Sequence, residues 1–365
     1  MASNQLVLVF SETSNNPADV VQVHHDDGHD VTAEAKSLPP GTALVTFLSS
    51  PINPQDLMAI AGRYPVKPAY RHQDKPIPGN DGVARVEAVG PVAAADSNST
   101  AITIQPGDLV IPRRHGLGTW RRRAVLPVDA LARLPLDYQA GPTAGIDPIA
   151  AGMLRTVFVP AYLIVEDMRG LRPGDWIIQN AAGSTIAQLV THGQQGELPD
   201  VGPADVVLTE SELAARGASA HPALEAAAAQ GRVVLALDAV FGQSGEALAG
   251  VLSKGGTFVN YGSLGGPDGV LRLTQKLIFW NEIKFRNFRL TEQLGQRSAT
   301  EQEALLGWLA QLIARGELRA PAVEKIPVPV DGLSVPAFQE KVKQALTAAA
   351  AKQLGHRKHV FVFGE

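Results

Sequence analysis

Residues 176–188 read WIIQNAAGSTIAQ. A short apolar run ends at Gln179, a turn of small residues follows, and an apolar helix start comes next, which is the opening of a βα unit. A dinucleotide pyrophosphate needs such a turn, because it must approach the backbone closely and accept N–H groups at a helix N-terminus. Asn180, Ala182, Gly183, Ser184 and Thr185 are therefore candidate cofactor contacts. The Gly-x-Gly-x-x-Gly fingerprint is absent, since Ala181 and Ala187 stand where glycines would help and only Gly183 remains. Any βα unit can carry a small-residue turn, so the segment alone leaves nucleotide binding open.

Further on, a nucleotide fold needs a second strand roughly 20 residues away whose end meets the adenosine ribose or its 2′-phosphate. Between Gln188 and ADVVLT (204–209) lie only LVTHGQQGELPDVGP, whose Gly193, Gly196, Pro199, Gly202 and Pro203 forbid a helix, a buried strand and another helix. One crossover is expected to be missing, and with it the partner of the adenosine end. Trp176–Gln179, Asp205–Leu208, Val233–Asp238 and Thr257–Tyr261 read as buried strands separated by alanine-rich helical stretches, the pattern of a parallel, doubly wound sheet.

Upstream the texture differs. Gln5–Phe10, Ala43–Phe47, Gly82–Val89, Asp108–Pro112 and Trp120–Val125 are short β-type runs punctuated by Gly and Pro, which suggests an antiparallel, barrel-like domain. Downstream, residues 300–318 have apolar spacing of three and four, with Thr300 and Glu303 placed as a capping box. Residues 345–352 read as an alanine-rich helix and HVFVFG (359–364) as a strand. The expected division is residues 1–146, a cofactor domain at 147–298 shortened around 189–203, and a C-terminal segment, 299–365.

Two domains also suit 365 residues, and 45% apolar composition supplies two cores. A net charge of −4, with Arg121–Arg123 as a short basic cluster, argues against nucleic acid as a partner. The absence of cysteine excludes disulfides, thiolate nucleophiles and cysteine-bound metal. No apolar run reads as long enough to span a bilayer, so no membrane partner is expected. His72 and His115 lack partners at metal-ligand spacing, so no metal is expected. Ser184 lacks a nucleophile-elbow context. Tyr64 follows a short helix in INPQDLMAIAGRYP; its phenol can donate a proton or hydrogen-bond a developing enolate, and it can equally be a plain loop-edge tyrosine.

The series SSPINPQDLMAIAGRYPVKP (49–68), PGNDGVARVEAVG (78–90), PGDLVIP (106–112), GLGTWRRRAV (116–125), PAYLIVEDMRGLRPGDWIIQN (160–180), ADVVLTESEL (204–213) and GTFVNYGSLGG (256–266) resembles the mitochondrial 2-enoyl thioester reductases of the medium-chain dehydrogenase/reductase superfamily. The resemblance runs in order over most of the chain. It implies a GroES-like, barrel-type catalytic domain completed by the C-terminal segment, and a Rossmann domain. The implied activity is reduction of trans-2-enoyl thioesters, on CoA or an acyl carrier protein, with hydride from NADPH. A homodimer is implied, in the mitochondrial matrix or, since no transit peptide is visible, the cytoplasm.

Residue by residue, Tyr64 falls on the family's catalytic tyrosine. Asn53 and Asp56 match its Asn-Pro-x-Asp helix start, and Asn80 and Trp120 match cleft-lining positions, so Asn53, Asn80 and Trp120 are the candidate substrate contacts. Tyr261, Gly262 and Phe288 join the candidate cofactor contacts. The family's Ser-Val-Asn-Pro aligns with Arg155, Thr156, Val157 and Phe158, so a nicotinamide-facing Asn has become Val157. Its Gly-Phe-Trp aligns with Asn287, Phe288 and Arg289. The Arg-Asp-Arg that grips the 2′-phosphate falls in the shortened segment, removing two contacts of about 1.5–3 kcal/mol each. Arg286 and Arg289 are candidate substitutes. These departures keep two further readings open: a relative that has lost its cofactor and binds ligands or partners, and a redox-neutral enzyme using the Tyr64 pocket.

Overall fold

The computed structural model describes residues 5–26, 37–91, 104–135, 146–182, 184–187, 206–266, 269–329, 335–351 and 357–364. The described strands open with β1 (Gln5–Phe10), β2 (Val21–Asp26), β3 (Thr42–Pro51), β4 (Arg71–His72), β5 (Lys75–Pro76) and β6 (Val83–Val89). They continue with β7 (Leu109–Pro112), β8 (Arg123–Pro127), β9 (Leu131–Arg133), β10 (Trp176–Gln179), β11 (Val233–Asp238) and β12 (Thr257–Asn260). Last come β13 (Lys284–Asn287), β14 (Val323–Val328) and β15 (Lys358–Phe363). The chain divides into two compact units, residues 1–156 with 299–365, and residues 157–298.

The first unit is built on a mostly antiparallel sheet of order β14-β15-β3-β6-β7-β9, with β8 also on β3. The ten-residue strand β3 explains the curl: its first half pairs with both β6 and β8, its second half with β6 and β15. Register shifts in the β3–β6 ladder add the local twist that lets a sheet close towards a barrel. The C-terminal strand β15 joins the sheet here, since Val360 stands opposite Pro51 and the Ile52 N–H donates to the His359 carbonyl at 2.9 Å. Trp120, Phe47, Phe361 and Phe338 are fully buried in the core. The strand expected at 120–125 begins only at Arg123, because the Trp120 N–H is already given to the Pro78 carbonyl in a turn.

In the second unit, β10, β11, β12 and β13 form a parallel sheet in chain order. This is one winding of a doubly wound α/β sheet; the order does not reverse among the described strands. The shortened stretch at 189–203 lies outside the described residues. The strand expected at Asp205–Leu208 does not form over its described part, 206–208, where Val207 is 78% exposed. The next residue explains why: Thr209 caps the helix Glu210–Arg216, its hydroxyl accepting the Glu212 N–H while the Glu212 carboxylate accepts the Thr209 N–H. Leu208 is thereby drawn into a helix entry.

Two further expectations are corrected. The helix expected from Thr300 is Ala299–Ala314, so Thr300 lies inside it, and Glu303 pairs with Arg113 at 2.7 Å rather than closing a capping box. The apolar stretch Pro148–Glu166 is helical, and by length and composition it could cross a membrane; 83% of it is buried within the protein. That burial is the ordinary state of a core helix.

Candidate active site

Asn53 ends the strand–turn after β3 and opens the helix Pro54–Ile60, with Pro at the position where a missing N–H costs nothing. Its backbone N–H donates to Asp56 Oδ2 at 2.7 Å. Asp56 Oδ1 accepts from Asn80 Nδ2 at 2.8 Å, and Asn80 Oδ1 accepts the Gly116 N–H at 2.7 Å. The Asn53 side-chain Oδ1 accepts from Lys358 Nζ at 2.7 Å, a contact made possible by the β15–β3 pairing. Both asparagines are buried with their amides committed, so they position the site.

Asp81 anchors a second arm. Its carboxylate accepts the Thr156 hydroxyl, and its backbone carbonyl accepts hydroxyls from Ser50 and Thr119, each at 2.7 Å. Gly79 sets the loop: at φ +102°, a Cβ there would lie 2.4 Å from Thr119 Oγ1 and 2.5 Å from Trp120 Cδ1. Trp120 itself is fully buried, edge-on to Phe361 at 5.2 Å, with Nε1 donating to the Pro51 carbonyl at 3.4 Å. This makes it a core residue rather than a substrate surface.

Two acids and two bases of this unit belong to the network: Asp56, Asp81, Lys358 and Arg155. Burial pushes Asp56 up to about 7 and Asp81 up to about 6, and pulls Lys358 down to about 8. Arg155, 4% exposed in a π-helical turn at Leu154–Phe158, is also lowered by burial, against the favourable charges of Asp81 and Tyr64. Its Nε and Nη1, and Asp81 Oδ1, are buried without hydrogen-bond partners. Such groups are rare in folded proteins and mark a place where a polar ligand atom or water belongs.

Tyr64, half-buried, brings its hydroxyl 2.5 Å from His115 Nδ1. Burial, then the charge of Arg155, drives His115 down to about 3, so the imidazole is neutral at pH 7. His115 has a partner, the Tyr64 phenol; among the described residues no group of three or more His, Cys, Asp or Glu side chains is placed to hold a metal ion. Thus the sequence pointed to Tyr64 but set His115 aside on its spacing, took Arg155 and Thr156 only as departures from the family pattern, and gave no sign of Asp81 or Lys358. One signal was available: an arginine in an otherwise apolar helix is buried only for a reason.

In the second unit the candidate residues gather at the carboxyl ends of β10, β11 and β12, where α/β sheets hold ligands. Asn180 Nδ2 donates to Asp238 Oδ1 at 2.6 Å and to Ser244 at 2.9 Å, and its Oδ1 accepts the Ala239 N–H at 2.8 Å. Asp238 also accepts from Val240 and Phe241 N–H groups and from Asn260. Asn180 is thereby a brace between strand ends. Ala181 adopts φ +50°, a left-handed turn of the kind that glycine usually supplies.

Ala182 is exposed, Ser184 and Thr185 are half-buried at the helix start, and Gly183 lies outside the described residues. Gly262 packs so closely on Ala239 that a Cβ would lie 2.9 Å from its carbonyl oxygen. Tyr261 presents a buried hydroxyl beside Ser184, and burial pushes it up to about 12 despite that hydrogen-bonding neighbour. Phe288 is buried and gives its N–H to the Asn260 carbonyl, which makes it a packing residue. Arg286 donates to the Asp167 and Met168 carbonyls, and Arg289 pairs with Glu292 at 2.6 Å, so neither is a spare cation at this edge. The left-handed turn, the helix start and the Tyr261 hydroxyl beside Ser184 fit the pyrophosphate end of a dinucleotide. Its adenosine end would fall outside the described residues.

No family model matches the chain. The human mitochondrial enoyl-[acyl-carrier-protein] reductase is 33% identical over 308 residues, covering 78% of this chain and 74% of the human protein. Among solved structures, the complex of Etr1p with NADP and crotonyl-CoA superposes with a TM-score of 0.77 at 21% identity, covering 98% of this chain and 99% of that one. The Etr1p/Etr2p heterodimer of Candida tropicalis, a mitochondrial 2-enoyl thioester reductase, gives 0.77 at 22% identity with the same coverage.

Proposed function

Since the chain belongs to the family of mitochondrial enoyl-[acyl-carrier-protein] reductases, we propose that it reduces the carbon–carbon double bond of trans-2-enoyl thioesters at the expense of NADPH, with Tyr64 as the catalytic residue. The observation that carries the reading is the Tyr64–His115 contact beside a buried, partly unsatisfied Arg155. A double bond conjugated to a thioester carbonyl becomes an enolate when reduced. Its reduction therefore needs a donor at the carbonyl oxygen and a proton at the α-carbon.

Tyr64 serves both needs: its O–H hydrogen-bonds the enolate oxygen and then passes its proton to the α-carbon, the phenolate regaining a proton from solvent. Neutral His115 has two tautomers. With hydrogen on Nδ1 it donates to the phenol oxygen, which leaves only an acceptor lone pair unmet at buried Nε2 and orients the Tyr64 O–H as a donor. Arg155, within electrostatic reach of Tyr64, favours negative charge developing beside the phenol. Asp81, Thr156, Asn53, Asp56 and Lys358 fix these groups through the hydrogen bonds described. The backbone N–H groups of residues 184–187 and the Tyr261 hydroxyl would hold NADPH, which would supply hydride chemistry for the β-carbon.

The thioester would be carried by CoA or an acyl carrier protein, in the mitochondrial matrix. The working form would be a homodimer joined through the second unit. Val270, Leu273, Ile278, Phe279 and Trp280 expose large apolar side chains there, Phe279 and Trp280 at 64% each. Exposed clusters of that kind mark interaction surfaces.

The test is cofactor consumption with crotonyl-CoA, after calorimetric titration with NADPH and then NADH. Micromolar binding and turnover are the expected result. No binding at millimolar cofactor would overturn the reading and leave a cofactor-free protein.

A further inference from the structure

A cleft of about 620 Å³ runs along the amino ends of β10, β11, β12 and β13. This is the edge opposite Asn180, Tyr261 and Gly262, so it is not the dinucleotide crevice of the fold. Arg169, Arg172, Arg232, Lys284 and Arg286 line it, and Asp175 is the one carboxylate among its lining residues. A protein of net charge −4 thus gathers five cations around a single cavity.

Three of those arginines are held in place by backbone carbonyls. Arg169 Nη1 donates to the Gly255 carbonyl at 2.6 Å, Arg286 Nη1 to that of Met168 at 2.9 Å, and Arg232 Nε to that of Gly174 at 3.0 Å. Arg232 is also the ion-pair partner of Asp175, at 3.5 Å. Each anchored guanidinium has lost its rotamer freedom already, yet has further N–H groups to offer. Arg172 and Lys284 are exposed at the rim. Like charges collected in one recess repel one another, and anchoring them there is favourable to an anion that can meet several at once.

We propose that this cleft is a binding site for a small molecule carrying two or more phosphate charges. The planar, multiply donating arginines suit tetrahedral phosphate oxygens, and the single carboxylate, already shared with Arg232 and the Arg172 N–H, leaves the charge balance strongly positive. The site is independent of the thioester chemistry.

Calorimetric titration of the full chain with inorganic pyrophosphate at low ionic strength tests it. The Arg172→Ala/Lys284→Ala double variant removes two exposed lining cations, and Lys341→Ala/Lys343→Ala removes two exposed cations from the helix Val335–Ala351 of the other unit. Unchanged thermal melts of both variants establish that the fold is kept. The expected result is one-to-one binding that weakens at least about tenfold, equivalent to ~1.4 kcal/mol, in the first variant and is unchanged in the second. No heat at millimolar pyrophosphate, equal weakening in both variants, or full affinity in the first would each overturn the proposal.

Discussion

The Tyr64 hydroxyl and His115 Nδ1 lie 2.5 Å apart, with their rings tilted by 37° and centred 5.7 Å from each other. A phenol gripped this way is oriented before substrate arrives. Tyr64→Phe keeps the ring and deletes the donor, so kcat with crotonyl-CoA should fall by ~10²–10⁴ while KM moves little. His115→Gln, which can still donate to the phenol, should cost much less, on the order of tenfold. Steady-state kinetics on both variants check the pair, and an unchanged kcat in Tyr64→Phe would remove the tyrosine from the chemistry.

The same histidine sets a pH signature. Its value in the folded protein, about 3, lies below the ordinary 6.5, so the unfolded chain takes up the proton more readily between those two values. Stability from a neutral His115 is complete above pH ~6.5 and is lost as pH falls towards 3, an effect on the order of 2–4 kcal/mol. Asp56 and Asp81 act oppositely: their values are raised, so the folded form gains stability as they protonate on acidification. The net curve mixes the two, but His115→Gln separates them. In urea unfolding at pH 7 and pH 4, the wild type should lose stability relative to that variant at pH 4. A constant difference would mean that His115 is not held neutral.

Arg155 and Asp81 form the most exposed weakness of the first unit, although both are buried. They attract one another without the hydrogen bonds that would satisfy Arg155 Nε, Arg155 Nη1 or Asp81 Oδ1. Arg155→Met removes the stronger of the two cations that act on Asp81, Lys358 being the other, and should destabilise the protein by about 2–3 kcal/mol at pH 8. Without the arginine the Asp81 value rises further above the folded value of about 6, so the extra penalty accrues as pH climbs through about 6 and is small at pH 5. Adding Asp81→Asn should restore most of the stability at pH 8, because the orphan charge is gone. Chemical denaturation of the single and double variants at the two pH values reads this directly, and no recovery in the double variant would refute the pairing.

What the sequence made legible follows from how local each signal is. The βα opening at 176–188, the β runs of the first unit and the final strand are short-range patterns, and they appear as β10, β1, β3, β6 and β15. Val206–Leu208 failed because three apolar residues look alike in a strand and in the approach to a capped helix; the Thr209–Glu212 pair decided the matter. The buried polar network was invisible for a different reason. Lys358 meets Asn53, and Thr156 meets Asp81, only after β15 crosses to β3 and a helix packs on the sheet. Those contacts span 305 and 75 residues, beyond any periodicity. Trp120 could be seen to matter, but a tryptophan in a turn motif does not reveal whether it faces ligand or core.

Phe279 and Trp280 stack edge to face, 5.0 Å between centroids, while remaining 64% exposed on the second unit. Aromatic area of this size gains little from a watery setting and much from a partner surface, and Trp and Phe at a patch centre commonly carry interface energy. The neighbouring strand β13 is the terminal strand of the parallel sheet, with one edge unpaired among the described strands. In a homodimer, a two-fold axis near that edge would bring the same side chains of both copies together. Phe279→Glu/Trp280→Glu should therefore convert a dimer to a monomer in light scattering at micromolar concentration. Because neither ring belongs to the core, the monomer should retain its far-ultraviolet circular dichroism and its NADPH affinity. A wild type that is already monomeric would discard the interface, and a double variant that stays dimeric would move it elsewhere on the chain.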